Sequence, residues 1–458
     1  MKVTSYGAAE TVTGSCHLVE TRDRRILLDC GLFQGGHSLE DRNRTAFPFS
    51  ASEIDTVVLS HAHLDHCGLL PKLVRDGFGG EIVCTPPTAE IARVILADSA
   101  HIQTEEAAYR ARKARRRGET SRPPIYDMGD VLETVTRFGR QPEYRDITPL
   151  GDGIEVVLHD AGHILGSAII ELRSEGKTLV FSGDLGNLHQ PIVRDPTPAP
   201  KADAVLVEST YGDRKHRTID ESVSELEEAL QTVIGRGGNL LIPSFALERT
   251  QEVLYELFLL WQAGRMPKCK IFLDSPLAIA TTRIFAKYPD YFDAEGRALF
   301  AKEPDPFRFP PLEYSQTTDE SKRINALPSG NVIIAGSGMC TGGRIIHHLR
   351  HNLWNEKSGV VFVGYQASGT LGRRIVEGTD HVRIYGEDLA VRASVWTVNG
   401  FSSHADQPIL IDWLRSASAD KIVLVHGEES SFAGLAARVK TDLGKTAHIA
   451  RWKVPIEI

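Results

Sequence analysis

The stretch Ser60-His61-Ala62-His63-Leu64-Asp65-His66-Cys67-Gly68 places four potential metal ligands within six residues, directly after the apolar run Thr56–Leu59. Imidazole and carboxylate suit zinc and other borderline divalent ions. A tight loop leaving a strand aims successive side chains in different directions, so His61 and His63 could serve one ion and Asp65 and His66 a second. A lone histidine is usually a surface or satisfied core residue; three with an aspartate at a strand end call for a metal. Other chemistry-bearing residues close apolar runs further along. Asp29 ends RRILLD, His163 stands in AGHILGS, Asp184 in FSGDLG, Glu208 ends DAVLVE, His404 stands in GFSSHAD and His426 in LVHGE. Each alone is weak evidence, because an aspartate in a glycine turn is most often a turn former.

The elements that must position these residues are short strands. RRILLDCG, IDTVVLSHAH, GEIVCTPP, GIEVVLHDAGH, SAIIELRS and KTLVFSGDLG each read as a strand that ends at a polar loop. Enzymes built on rigid sheets carry their chemistry on such loops. PIVRDPTPAPK at 191–201 reads as a linker. Beyond it strands and helices alternate regularly, which suggests parallel sheet. Residues 98–122 form a charged helical stretch with six basic residues in eight between Arg110 and Arg117. Such a run is a solvated helix face or a nucleic-acid contact.

Taken in order, His61-x-His63-x-Asp65-His66, Asp29, His163 and Asp184 resemble the motifs of the metallo-β-lactamase superfamily. Glu208, His404 and His426, with Pro243-Ser-Phe-Ala-Leu-Glu-Arg249 and Asp274-Ser-Pro-Leu-Ala, resemble its β-CASP branch, whose members process nucleic acids. The chain is similar to stand-alone bacterial and archaeal relatives of the nuclease subunit of the mRNA 3′-end cleavage factor. The resemblance implies an α/β protein, an αββα sandwich with an inserted β-CASP α/β cap. The sandwich is expected over 1–200 and 381–458, and the cap over 201–380. It implies two zinc ions per chain, with manganese as the alternative metal. His61, His63 and His163 would hold one ion and Asp65, His66 and His426 the other, with Asp184 bridging. Asp29 would orient a ligand or the attacking water. His404, paired with Glu208, would contact the scissile phosphate or protonate the leaving oxygen. The implied activity is ribonuclease action on single-stranded RNA held in the cleft between the two parts. A metal-bridging hydroxide would attack, leaving 5′-phosphate and 3′-hydroxyl ends. Histidine rather than valine at 426 tilts that family reading toward RNA.

Gly336-Ser337-Gly338-Met339-Cys340-Thr341-Gly342-Gly343-Arg344 follows the strand NVIIA and precedes a helix. Glycines let backbone N–H groups approach an anion, and a helix N-terminus adds partial positive charge. Ser337, Gly338 and Met339 are therefore candidate phosphate contacts, and Arg249, Arg344 and Arg373 candidate backbone clamps or structural ion-pair partners. His347, His348 and His351 lie at helical spacing with no acidic third ligand, and read as surface or cap residues. The six cysteines form no CxxC pair, which speaks against a cysteine zinc site or disulfide framework, and Cys30 and Cys67 read as small buried side chains.

A net charge of −8 argues against a whole-surface polyanion binder and leaves a basic groove open. No stretch reads as a membrane span or signal peptide, so the expected location is cytoplasmic, with no membrane partner. A homodimer and RNA-processing partner proteins stay open. Three rival readings are a DNA nuclease of the same fold, a thioester or ester hydrolase, and a non-catalytic scaffold. The cap and His404 motifs count against the second, and the filled ligand positions against the third.

Overall fold

In the computed structural model, which describes residues 1–302, 305–398 and 400–458, the chain divides into two compact units. The first comprises 1–188, 195–215 and 404–458; the second comprises 189–194 and 216–403.

The first unit contains two sheets. One has six strands in the order Pro455–Glu457, Lys2–Gly7, Cys16–Glu20, Arg25–Leu28, Thr56–Val58 and Glu81–Val83. The other has seven, in the order Ala447–Ile449, Lys421–Val425, Ala204–Glu208, Lys177–Phe181, Ala168–Ser174, Ile154–Asp160 and Ile147–Gly151. Alternation along each strand builds the core. Ile26, Leu28 and Val58 of the first sheet share one apolar cluster with Leu179, Phe181, Leu206 and Val423 of the second. The residues between them, Val180, Val205, Val207 and Leu424, point the other way. They pack with Trp413 and Leu414 of the helix Gln407–Ala417 and with Leu435 and Val439 of Glu429–Leu443. Leu27, Val57 and Ile82 are fully buried as well, so the far face of the first sheet is also covered. This is the expected αββα layering.

The helix Pro86–Arg117 starts with the Thr85 hydroxyl accepting the Thr88 N–H and stops at Gly118, whose φ of 70° is left-handed. Its buried residues end at Ala100. The basic run from Arg110 to Arg117 is exposed, and Arg110 pairs with Glu106 one turn back at 2.5 Å.

The second unit contains a six-stranded parallel sheet in the order Leu312–Tyr314, Ile271–Leu273, Val332–Ala335, Leu240–Pro243, Gly359–Phe362 and Ser394–Thr397, and an antiparallel pair of strands, His381–Ile384 and Glu387–Ala390. Leu240, Leu241 and Ile242 are all fully buried, as a strand covered on both faces requires. The boundaries expected at 200 and 380 fall inside these units. Ala204–Glu208 pairs with Lys177–Phe181 and Lys421–Val425 and so belongs to the sandwich, while Ser394–Thr397 pairs with Gly359–Phe362 and so belongs to the cap. The linker expected at 191–201 is split, because 189–194 group with the cap and 195–215 with the sandwich. Among the described residues, no helix is long and apolar enough to cross a membrane.

Candidate metal centre

The first unit gathers all ten candidate residues from Asp29 to His426: most stand where strands end, Asp65 and His66 lie in the short helix Leu64–Cys67, and His404 precedes the helix Gln407–Ala417. Asp29 follows Arg25–Leu28 at a φ of 61°. Its Oδ1 accepts the Ser60 N–H at 2.8 Å, and its Oδ2 accepts the hydroxyls of Ser15 and Ser60 at 2.9 Å each. Oδ2 also lies 2.7 Å from His66 Nδ1. The backbones of the two loops are tied together too. Cys30 N–H donates to His66 O at 2.8 Å, and Ser15 N–H to Asp65 O at 2.7 Å. A Cβ at Gly31 would fall 1.7 Å from the Asp65 carbonyl oxygen, so this approach requires glycine.

These bonds decide which nitrogens face inward. Ser60 Oγ donates to Asp29, so it accepts from His61 Nδ1, 3.1 Å away, and His61 Nε2 is left bearing the lone pair. Likewise His66 Nδ1 is taken by Asp29, which turns Nε2 toward the centre. The inward atoms form two groups. His63 Nδ1 lies 3.0 Å from His61 Nε2 and 3.2 Å from His163 Nε2. Asp65 Oδ2 lies 3.4 Å from His426 Nε2 and 4.0 Å from His66 Nε2. Asp184 stands between them. Its Oδ2 is 3.3 Å from His66 Nε2, 3.6 Å from His61 Nε2 and 3.7 Å from His163 Nε2, and its Oδ1 is 3.7 Å from His426 Nδ1.

This donor set fits a metal. Among the described residues, His66 Nε2 and Asp184 Oδ1 are buried without a hydrogen-bond partner, although burying such atoms unpaired is costly. The protonation states also suit ligands, which must be neutral imidazole and ionised carboxylate. Burial pushes His61 well below the ordinary histidine value and His63 down to about 4. Burial opposes ionising Asp65 and Asp184, but histidines override it. The His426 contact leads in holding Asp65 down to about 2, and the charges of His426 and His66 hold Asp184 well below the carboxylate range. His66 differs. Burial works against charging it, yet Asp184 and Asp29 raise it well above its usual value. A proton there plays the part that a cation among the donors would take over.

Glu208 is fully buried at the end of its strand. Its Oε1 accepts the Leu185 N–H at 2.7 Å and its Oε2 the Thr210 N–H at 3.3 Å. Both oxygens lie 3.2 Å from His404 Nδ1, and Asp184 Oδ2 lies 4.0 Å from it. Burial disfavours the imidazolium, but Glu208, with Asp184 and Asp65, overrides it and raises His404 to about 9. A cation held at Asp184 would work against that rise, while the Glu208 contact favours the proton on His404.

Three polar side chains that position this centre escaped the sequence reading. Ser15 and Ser60 hold Asp29, and Thr210 Oγ1 lies 3.0 Å from His426 Nδ1. Ser60 directly precedes His61 and Thr210 follows Glu208 by two, so adjacency to the motifs was the available signal. In the cap, the Ser337 side chain is turned onto its own glycine loop. The Ser337 hydroxyl accepts the N–H groups of Thr341 and Gly342 at 2.9 and 3.3 Å, and so staples its own loop. Gly338 and Met339 form the loop's bend, where Met339 O accepts the Gly372 N–H at 3.2 Å. Arg344 is spent on Asp274 at 2.7 Å and on the carbonyls of Ser315 and Gln316. Arg249 is buried against Glu252 at 2.5 Å. Each of these two arginines already donates to a buried carboxylate. Arg373 is exposed and pairs with Glu377 one turn on. His348 is buried on Asp274, whereas His347 and His351 are exposed.

Sandwich, inserted cap and shared-aspartate centre together define a metallo-hydrolase, and the chain belongs to the metallo-β-lactamase superfamily, in its β-CASP branch. The pattern described as Metallo-beta-lactamase superfamily matches 10–244, Beta-Casp domain matches 250–375, and Zn-dependent metallo-hydrolase RNA specificity domain matches 388–450. Ribonuclease TTHA0252 of Thermus thermophilus is 42% identical over 95% of this chain and 95% of its own length. Transcription termination factor FttA of Methanocaldococcus jannaschii is 32% identical over 98% of this chain and 70% of its own. A crystal structure of a protein of unknown function from Enterococcus faecalis V583 has a TM-score of 0.57 at 12% identity, covering 100% of this chain and 99% of that one; it speaks to fold alone.

Proposed function

We propose that this protein is a zinc-dependent ribonuclease that hydrolyses phosphodiester bonds of single-stranded RNA, leaving 5′-phosphate and 3′-hydroxyl ends. The observation that carries the reading is the sharing of Asp184 by two donor groups beside a histidine that a buried glutamate holds. His61, His63 and His163 would hold one ion, and Asp65, His66 and His426 a second, with Asp184 common to both. Bound there, the two ions would supply Lewis-acid charge at the phosphate and lower the pKa of the attacking water. Zinc is favoured over manganese by the histidine-rich donors.

The chain's own residues do the rest. Asp29 fixes the His66 ring and, through Ser60, the His61 ring. Glu208 holds His404 at Nδ1, which leaves Nε2–H to donate to a phosphoryl oxygen or to the leaving oxygen. The backbone of Gly338 and Met339 is the proposed contact for a further substrate phosphate, and exposed Arg373 an auxiliary one. RNA is favoured over DNA by the match to an RNA specificity domain, by the ribonuclease relative and by histidine at 426.

The test is cleavage of 5′-labelled single-stranded RNA and matched DNA by metal-loaded protein, with Asp184→Ala and His404→Ala beside it. RNA products with 3′-hydroxyl ends that vanish in both variants are expected. Equal cutting of DNA would overturn the substrate, and no cutting by protein shown to hold two ions per chain would overturn the activity.

A further inference from the structure

A cavity of about 390 Å³ in the first unit lies behind the ligand loop, on the other side of Gly31. Its walls include the rings of Phe33, Phe47 and Trp452, and its cations are Arg42, Lys72 and Lys453. Among the described residues no carboxylate lines it. Lys72 is neutralised by Asp76 at 2.6 Å and lies 3.9 Å from the centre of the Phe47 ring. Arg42 and Lys453 make no ion pair among the described residues. They sit 5.2 and 4.1 Å from the centre of the Trp452 ring. In a chain of net charge −8, two unneutralised cations beside an aromatic cavity stand out.

We propose that this cavity binds one nucleotide, with the base against the aromatic walls and the phosphate on Arg42 and Lys453. The volume is at the lower end of the roughly 300–1,000 Å³ that small-molecule sites span, which suits a single nucleotide. Aromatic rings take a base of any identity by stacking. A guanidinium fork matches phosphate oxygens, and an ammonium adds a point charge. The cation–π contacts pre-position both groups, so less rotamer freedom is lost when an anion arrives. An uncharged ligand would leave the two cations without a counter-charge. The nucleotide comes either from free solution or as one unit of an RNA strand, and both present the same chemistry.

Direct binding tests this without reference to cleavage, so its failure leaves the metal-centre reading untouched. Adenosine 5′-monophosphate is titrated calorimetrically into metal-loaded wild type, Trp452→Ala, Trp452→Phe and Arg42→Ala/Lys453→Ala. A short oligouridylate is titrated into the same set on an Asp184→Ala background, so that the strand stays intact. The expected result is saturable binding that weakens at least tenfold in Trp452→Ala and in the double variant, and is largely kept in Trp452→Phe. Dependence on these residues in the mononucleotide arm assigns a free nucleotide, and in the oligonucleotide arm alone a unit of a strand. No saturable binding in either arm, or affinities unchanged by the double variant, overturns the proposal.

Discussion

Each unit buries a carboxylate against histidine, and the two clusters end differently. In the cap, Asp274 is fully buried and every direction is answered. Its Oδ1 accepts from Arg344 at 2.7 Å, and its Oδ2 from Ser321 at 2.6 Å and His348 Nε2 at 2.7 Å. His348 Nδ1 lies 2.9 Å from Asn325 Oδ1. In the sandwich, Asp29 is answered in the same closed way, but Asp184 is not. Its Oδ1 and the facing His66 Nε2 have no hydrogen-bond partner. A histidine–aspartate cluster is therefore no metal site by composition. What separates the two is the direction of the spare lone pairs, which converge around Asp184 and are consumed around Asp274. The glycine loop in the cap is held by the closed cluster through Arg344, and the open one is held by Asp29.

The sharpest way to break this comparison is Asp184→Ala. It removes the carboxylate both donor groups share, so bound metal should fall and cleavage should drop on the order of 10³-fold or more. Metal analysis and RNA turnover check it, and chelation of wild type should reproduce the loss. Next comes Asp274→Ala, which should leave metal content intact while costing about 3–5 kcal/mol of stability, because Arg344 loses a buried counter-charge and His348 loses its buried partner. Denaturant unfolding with metal analysis reads both. A loss of metal instead would mean that the closed cluster reaches the centre. Smaller is Asp29→Asn, which keeps the shape and removes the charge behind His66. Metal affinity should weaken about 10–100-fold by chelator competition. No change would mean that Ser60 alone orients the rings.

The sequence made these two clusters unequal in legibility. His61, His63, Asp65 and His66 are read from spacing because one loop carries them. The strands that end at Asp29, Asp184 and Glu208 are visible as apolar runs. Their convergence, and the roles of His404 and His426, came from resemblance, since nothing local to a histidine in GFSSHAD says it will face a glutamate 196 positions earlier. The Asp274 cluster was not legible for the same reason, because Arg344 and His348 reach it from 70 and 74 positions away. That distance is why the sequence left Arg344 open between a phosphate clamp and a structural ion pair. The sandwich boundary was misplaced because Ala204–Glu208 looks like any strand of the βα alternation, and only its pairing with Lys177–Phe181 and Lys421–Val425 assigns it.

Acid should resolve the two clusters one after the other. Burial disfavours the Asp274 carboxylate, but the His348 and Ser321 contacts outweigh it and hold it down to about 2, against 3.8 for the ordinary side chain. A depressed carboxylate contributes stability that is complete above its unfolded value and lost as pH falls through its folded one. The cap should therefore keep this contribution, about 2 kcal/mol for the shift, down to about pH 4 and lose it between about pH 4 and 2. The open centre should respond at higher pH, because its imidazole ligands bind protons in competition with metal. Metal release followed by a dye, beside unfolding followed by circular dichroism, should show the metal leaving first. Asp274→Asn should flatten the slope of stability between pH 4 and 2 while leaving metal release where it was. If that slope survives the substitution, the acid sensitivity lies with other carboxylates and the closed cluster is not what stabilises the cap.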